Sequence, residues 1–313
     1  MAAMARETVS AWVRASRLQM YSIVFCPLLL GSAAAWFEHG AFDAIRFAVI
    51  AVITFLLHLA TSFVNDAADV ETDKENAHRS LFSGGSGVTV EGLLSPAALC
   101  VGAGLAVGGS FLLTLVLMLG LDVHWSAGLL VLWGAASGIE YSLPPLRLAY
   151  RGGGELLVFL TYSFALLLTG YCVQAGPQWG AMAWWLSLPV GFAVFAAITI
   201  TQFPDRTPDL RTGKRSLVIL FGKKTALRLY AGGLVLSLLS TGVGLLFGAV
   251  PWWPGLAALL AAPLVLGLLF PALRGDLTDA SVQTLHCPGS MALTLWMALG
   301  PSFGLLLQGW LAS

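Results

Sequence analysis

Long apolar runs separated by short polar intervals dominate the chain, and nine of the runs reach roughly the 20 residues that a helix needs to cross hydrocarbon. They lie at about 18–36, 46–64, 97–120, 126–141, 155–173, 182–203, 227–248, 255–272 and 291–311. Each predicts a spanning helix, because backbone polar groups in lipid must be satisfied within the segment itself. The intervals 65–96, 142–154, 204–226 and 273–290 hold nearly all the charge, and the alternate intervals are short. No Pro/Ser-rich linker divides the chain, and the short intervals leave no room for a second unit. The pattern predicts an all-α membrane protein: a single bundle of about nine transmembrane helices with a cytoplasmic N-terminus, one domain over 1–313 with cap loops at about 65–96 and 204–226.

Composition agrees. Of 313 residues, 58% are hydrophobic and 10% charged, with a mean hydropathy of +0.83; soluble domains carry about a quarter charged residues. A formal net charge of +0 argues against a nucleic-acid partner, which requires a basic surface to displace counterions. Of the 16 Lys and Arg residues, all but Arg46 fall on the side of the N-terminus and the long intervals. This positive-inside asymmetry orients the chain. It predicts an integral protein of the bacterial cytoplasmic membrane whose polar face looks into the cytoplasm. Trp36, Trp125, Trp179, Trp184, Trp185, Trp252, Trp253 and Trp310 cluster near the opposite boundary, where indoles favour the headgroup region. Arg6, Arg14 and Arg17 ahead of an apolar run ending at Ala33-Ala34-Ala35 have the outline of a secretory leader; the adopted reading is a retained first helix. Cys26, Cys100, Cys172 and Cys287 show no metal or redox spacing and read as small core hydrophobes.

The second and sixth runs each end in carboxylates four residues apart, a recurrence that hints at a duplicated four-helix unit. The first cluster runs from Asn65 through Asp66 and Asp69 to Asp73. If the helix continues, Asn65, Asp69 and Asp73 share one face at steps of about 6 Å. Like charges at this spacing repel, and a cation is the natural compensation. Oxygen-only ligands suit Mg²⁺, which takes one or two protein carboxylates and completes its shell with water and phosphate. The second cluster pairs Asp205 with Asp209 and leads into Arg211, Lys214 and Arg215. Metal-type carboxylates beside cations for phosphate oxygens form a candidate diphosphate site. Pro204 and Pro208 point to a broken or restarted helix there. The competing reading for both clusters is solvated charge at a helix end.

At these residues the chain resembles the UbiA superfamily of intramembrane prenyltransferases, whose signatures are N-D-x-x-D-x-x-x-D after the second helix and D-x-x-x-D after the sixth. Further stretches resemble the branch containing 1,4-dihydroxy-2-naphthoate prenyltransferase: 82–87 (FSGGSG), 141–147 (YSLPPLR), 150–155 (YRGGGE) and 213–217 (GKRSL). The resemblance spans nearly the whole chain. It implies Mg²⁺-dependent transfer of a polyprenyl group from a prenyl diphosphate, through an allylic carbocation, to a small aromatic or lipid acceptor within the membrane lipid. It further implies two Mg²⁺ ions, one served by Asn65, Asp69 and Asp73 and one by Asp205 and Asp209, with Asp66 counted among the metal residues in a supporting role. Asp69, Asp73, Asp205 and Asp209 are the expected catalytic set. Arg17, Arg79, Arg147, Arg151 and Lys214 are the candidates for diphosphate contacts, against the alternative that each is a positive-inside anchor. Tyr141 and Tyr150 either face the carbocation or pack at the interface. His58 reads as hydrogen-bonded structure, and His78 and His286 as loop residues. Three departures stand out: Arg17-Leu18-Gln19-Met20-Tyr21 replaces R-P-K-T-L, Thr201-Gln202 replaces Asn-Asn, and Pro208 interrupts the second motif.

Other superfamily reactions, including intramolecular terpene cyclisation, compete with aromatic transfer. A cation transporter belongs to a different class; it requires acids near the midplane, whereas Glu38, Asp43 and Asp122 lie in outer loops.

Overall fold

The computed structural model describes residues 2–40, 42–76, 80, 83–275 and 277–312. Among them there is no β-strand. The helices are α1 (Ala2–Ala15), α2 (Tyr21–His39), α3 (Ala44–Ala68), α4 (Val70–Glu75), α5 (Pro96–Gly120), α6 (Trp125–Ser142), α7 (Gly154–Leu160), α8 (Leu166–Ala175), α9 (Ala181–Thr212), α10 (Leu217–Leu220), α11 (Gly222–Leu246), α12 (Trp252–Leu259), α13 (Ala262–Arg274), α14 (Asp279–Ser281) and α15 (Cys287–Ala312). A π turn at Thr161–Ala165 joins α7 to α8, and another at Val282–His286 joins α14 to α15.

Local chemistry sets several boundaries. The Asp43 side chain caps α3 by accepting from the amides of Ile45 and Arg46, both at 2.9 Å. Ser95 caps α5 by accepting from Ala98 N at 3.1 Å, with Pro96 in the first turn. Such caps satisfy amides that have no partner within the helix.

Eight helical stretches are long and apolar enough to span a membrane. The ninth expected run is also helical, as α6, but it is only 18 residues long and carries Ser126, Ser137, Glu140 and Ser142, and it is not among the eight. The outer surface is apolar, with Leu119 83% and Leu246 87% exposed, as lipid rather than water requires. Inside, α2, α8, α9, α11 and α15 share the largest cluster of buried residues. Small residues let α2 and α8 touch backbone to backbone: a Cβ on Gly31 would overlap the carbonyl of Leu167, and one on Gly170 the carbonyl of Leu28. Close approach through small residues is how helices gain packing energy where lipid supplies no hydrophobic drive.

Four expectations need correction. Helix α9 does not break at its prolines but runs to Thr212, because tertiary packing buries Phe203, Pro208 and Asp209 and outweighs the lost amide donors. The expected cap loop at 204–226 is helical over 204–212 in α9, over 217–220 in α10 and from 222 onward in α11. The last helical stretch begins at Asp279, not 291, so His286 is a fully buried helix residue bonded to the Tyr230 hydroxyl at 3.2 Å rather than a loop residue. Cys100 is exposed on α5, while the other three cysteines are buried and all four are free thiols. Finally, α1 precedes the first apolar run and packs inward through Ala11, Ala15 and a Trp12–Phe63 ring contact at 5.2 Å.

Candidate active site

Helix α3 ends at Ala68, and Asp69 (φ −100°, ψ 14°) is the joint between α3 and α4. The amides continue a helical rhythm across it, Asp69 N to Asn65 O at 3.0 Å and Asp73 N to Asp69 O at 2.8 Å, so the chain bends while its side chains keep one face. Asp205 and Asp209 share a face of unbroken α9. Both motifs line one cavity of about 700 Å³, a size suited to a small-molecule ligand. Away from the carboxylates its wall carries the apolar side chains of Ile23, Val24, Leu57, Val158, Leu166 and Ile198, interspersed with the hydroxyls of Thr54, Thr61, Thr161 and Thr294.

Lys214 couples the motifs. Its Nζ donates to Asp69 Oδ2 at 2.7 Å and lies 3.8 Å from Asp209 Oδ1. Burial would lower its pKa, but the charges of Asp69 and Asp209 prevail and hold it above the ordinary lysine value. Asp69 also accepts from Asn65 Nδ2 and from the Tyr150 hydroxyl, each at 2.8 Å. Asp205 accepts from Asn76 Nδ2 at 2.7 Å and from the Ser83 hydroxyl. Beyond the carboxylates, Thr72 and Thr212 hydroxyls meet at 2.8 Å and Arg211 pairs with Glu75 at 2.8 Å, tying α4 to the end of α9.

The glycine-rich segment 83–87 folds over the carboxylates. Gly84, Gly85 and Gly87 all have positive φ, a backbone region that side chains disfavour, and a Cβ on Gly85 would overlap the Asp73 carboxylate.

Asp66 departs from the expected metal set. It is fully buried, does not line the cavity, and its oxygens are taken by the Arg17 guanidinium, by Ser86 N at 3.2 Å and by the Ser86 hydroxyl. It secures the glycine segment and Arg17 instead. Among the expected cations, Arg17 and Lys214 line the cavity. Arg147 does not: its guanidinium stacks 3.6 Å from the Tyr150 ring centroid, and the stack holds it outside. Arg151 is exposed in the turn beyond and is likewise not part of the wall. Arg79 lies outside the described residues, as do His78 and Phe82. Arg17 and Arg147 both adopt left-handed backbone, φ 45° and 46°, ahead of three-residue 3₁₀ turns, an echo of the recurrence between chain halves. His58 bonds the carbonyls of Ser16 and Arg17 at 2.9 and 3.3 Å, the structural role its apolar surroundings predict. Asn76, Ser83 and Ser86 were not identifiable as carboxylate partners from sequence, since they lie in a loop without periodicity.

The donor set fits a hard divalent cation. The carboxylates of Asp69, Asp73, Asp205 and Asp209 and the amide carbonyl of Asn65 offer only oxygens as ligand atoms. Burial first, and then the charges of Asp69 and Asp66, push the Asp73 carboxyl up to about 7. Among the described residues no three His, Cys, Asp or Glu side chains converge tightly enough to enclose a metal by themselves; Mg²⁺ ordinarily uses fewer protein ligands and completes its shell with phosphate and water.

The chain resembles known proteins in sequence and in fold. The UbiA prenyltransferase family model matches residues 24–307. The chain is 27% identical over 255 residues to 2-carboxy-1,4-naphthoquinone phytyltransferase of Synechocystis sp., covering 78% of this chain and 77% of the relative. It is also 27% identical over 263 residues to 1,4-dihydroxy-2-naphthoate octaprenyltransferase of Escherichia coli, covering 82% of each. The fold matches a UbiA homolog from Archaeoglobus fulgidus bound to DMAPP and Mg²⁺, with a TM-score of 0.65 at 14% identity over 95% of this chain and 98% of that one. An Aeropyrum pernix homolog matches with a TM-score of 0.68 at 17% identity over 92% and 97%.

Proposed function

The chain belongs to the UbiA prenyltransferase family, and from that premise we propose that it transfers a polyprenyl group from a prenyl diphosphate to a hydroxylated aromatic acceptor of the quinone-precursor type, such as 1,4-dihydroxy-2-naphthoate. The observation that carries this reading is the convergence of both carboxylate motifs, joined through Lys214, on one cavity that is also lined by apolar side chains. The naphthoate-directed relatives supply the acceptor class.

Asn65, Asp69 and Asp73 would hold one Mg²⁺ and Asp205 with Asp209 a second. When bound, the ions supply Lewis-acid neutralisation of the charge that grows on departing diphosphate. Lys214 and Arg17 add donors to the phosphate oxygens, Lys214 by exchanging part of its carboxylate pairing for phosphate. Asp66 positions Arg17 and the glycine segment. The Tyr150 hydroxyl orients Asp69, and the Tyr141 ring on the cavity wall faces the allylic carbon as it becomes cationic. Apolar side chains sheathe the polyprenyl tail and exclude water until the acceptor attacks. We read the site as facing the cytoplasm, a reading supported by the charge asymmetry, and the whole chain as one catalytic unit.

The test is product analysis by mass spectrometry with protein in nanodiscs, prenyl diphosphates of increasing length, Mg²⁺, and 1,4-dihydroxy-2-naphthoate. A prenylated naphthoquinone that disappears with EDTA, and falls about 10³-fold in folded Asp69→Ala and Asp205→Ala proteins, supports the reading. Diphosphate release yielding a cyclic hydrocarbon or prenyl alcohol moves the enzyme to another reaction of the family.

A further inference from the structure

Five carboxylates line the cavity among the described residues, and four of them belong to the two motifs. The fifth is Glu155, in the first turn of α7 and only 2% exposed. Its Oε1 accepts from Leu217 N at 2.7 Å. Among the described residues no Lys, Arg or His forms an ion pair with it. An ionisable side chain buried in a membrane protein without a counter-ion is expensive to keep, and function is the usual reason for keeping it.

The surroundings indicate what it meets. Ser216, adjacent to the Leu217 amide that holds Glu155, is 5% exposed, lines the same cavity, and its buried Oγ has no hydrogen-bond partner. Gln202 lies nearly one turn before Asp205 on α9, lines the cavity as well, and its buried Oε1 is likewise without a partner. Buried polar atoms normally find partners, so two unmatched ones lining the same cavity as a buried carboxylate call for a polar ligand. The prenyl diphosphate does not meet that need, since its head belongs with Arg17, Lys214 and the motif carboxylates and its tail with the apolar side chains.

We infer that Glu155, Ser216 and Gln202 form the acceptor site and that Glu155 takes up the proton of an acceptor hydroxyl, which defines the acceptor class as a hydroxylated aromatic. This rests on the prenyl-transfer reading above. In the step, the acceptor O–H bond breaks and its proton passes to Glu155 Oε2, while its electron pair enters the ring. The prenyl C–O bond breaks and diphosphate leaves with its pair; a ring carbon then bonds to the terminal prenyl carbon, and the ring regains aromaticity by releasing the proton or carboxyl group that this carbon carried. Ser216 and Gln202 hydrogen-bond the remaining polar substituents.

The test uses the full chain in nanodiscs with geranylgeranyl diphosphate, Mg²⁺ and 1,4-dihydroxy-2-naphthoate as the probe acceptor. Glu155→Gln keeps an oxygen for the Leu217 amide but cannot take a proton. Its product turnover is expected to fall about 10²-fold or more, while its affinity for geranylgeranyl diphosphate without acceptor changes by less than about threefold. Ser216→Ala is expected to raise the acceptor KM roughly fivefold with the diphosphate KM unchanged. Glu155→Gln turnover within about threefold of wild type, or a parallel loss of diphosphate affinity, overturns the inference. If Glu155→Gln does not fold, an unchanged acceptor KM in Ser216→Ala overturns it. Wild-type protein that binds the diphosphate but prenylates no hydroxylated aromatic overturns the proposed function itself, an outcome distinct from failure of Glu155 alone.

Discussion

The two carboxylate motifs have the same spacing and opposite backbones. Around Asp69 an otherwise good helical sequence is jointed, and α4 beyond the joint is tied to the end of α9 through the Thr72 and Thr212 hydroxyls. Around Asp205 and Asp209 two prolines sit inside a helix that runs on without a break. The joint lets Asp69 collect Asn65, Tyr150 and Lys214 at once, whereas the straight helix gives Asp205 to the loop polar groups Asn76 and Ser83 and leaves Asp209 facing Lys214. One motif thus organises the site from its own hinge, and the other offers a rigid rail against which the first is set. Intrinsic helix preference predicts the reverse assignment, which shows how readily tertiary packing overrides propensity.

The largest expected effect comes from separating the motifs. Lys214→Met removes the cation shared by Asp69 and Asp209, and prenyl transfer is expected to fall about 10²-fold or more, read as kcat/KM for the prenyl diphosphate. Retention of near-wild-type activity would mean that the motifs work without this coupling. A smaller effect compares the loops that follow each motif. Gly85 (φ +67°) abuts Asp73, whereas Gly213 (φ +81°) has nothing within 4 Å of where a Cβ would lie. Gly213→Ala should therefore cost only the backbone strain, about 1–2 kcal/mol, while Gly85→Ala adds a clash with a site carboxylate and lowers activity roughly tenfold further. Equal effects on Tm and turnover would erase the distinction. The smallest effect concerns protons. Asp73 has a folded-state value of about 7 against an ordinary 3.8, so the folded chain holds this proton more tightly than the unfolded one. Its contribution to stability is complete below the ordinary value and is lost as pH rises through about 7, by about 1.4 kcal/mol per unit of difference. In EDTA, Tm should decline from about pH 4 to pH 7, and Asp73→Asn should flatten the decline.

The sequence by itself determined the class of protein and the raw material of its site. Apolar runs of spanning length and two carboxylate pairs at a helical spacing are local properties, and bilayer physics converts them directly into helices and a candidate metal face. Only the tertiary structure decided which member of each cluster faces the cavity. Asp66 and Asp69 stand three residues apart, yet one is sequestered by Arg17 and Ser86 and the other becomes the hub of the site. Arg147, attractive through its neighbourhood, is stacked on Tyr150, and Glu155, which no spacing singled out, lies on the cavity wall. The reason is distance along the chain. Lys214 reaches Asp69 across 145 residues and Glu155 meets Leu217 across 62; hydropathy and periodicity, which compare neighbours a few positions apart, carry no information about partners that only helix packing brings together.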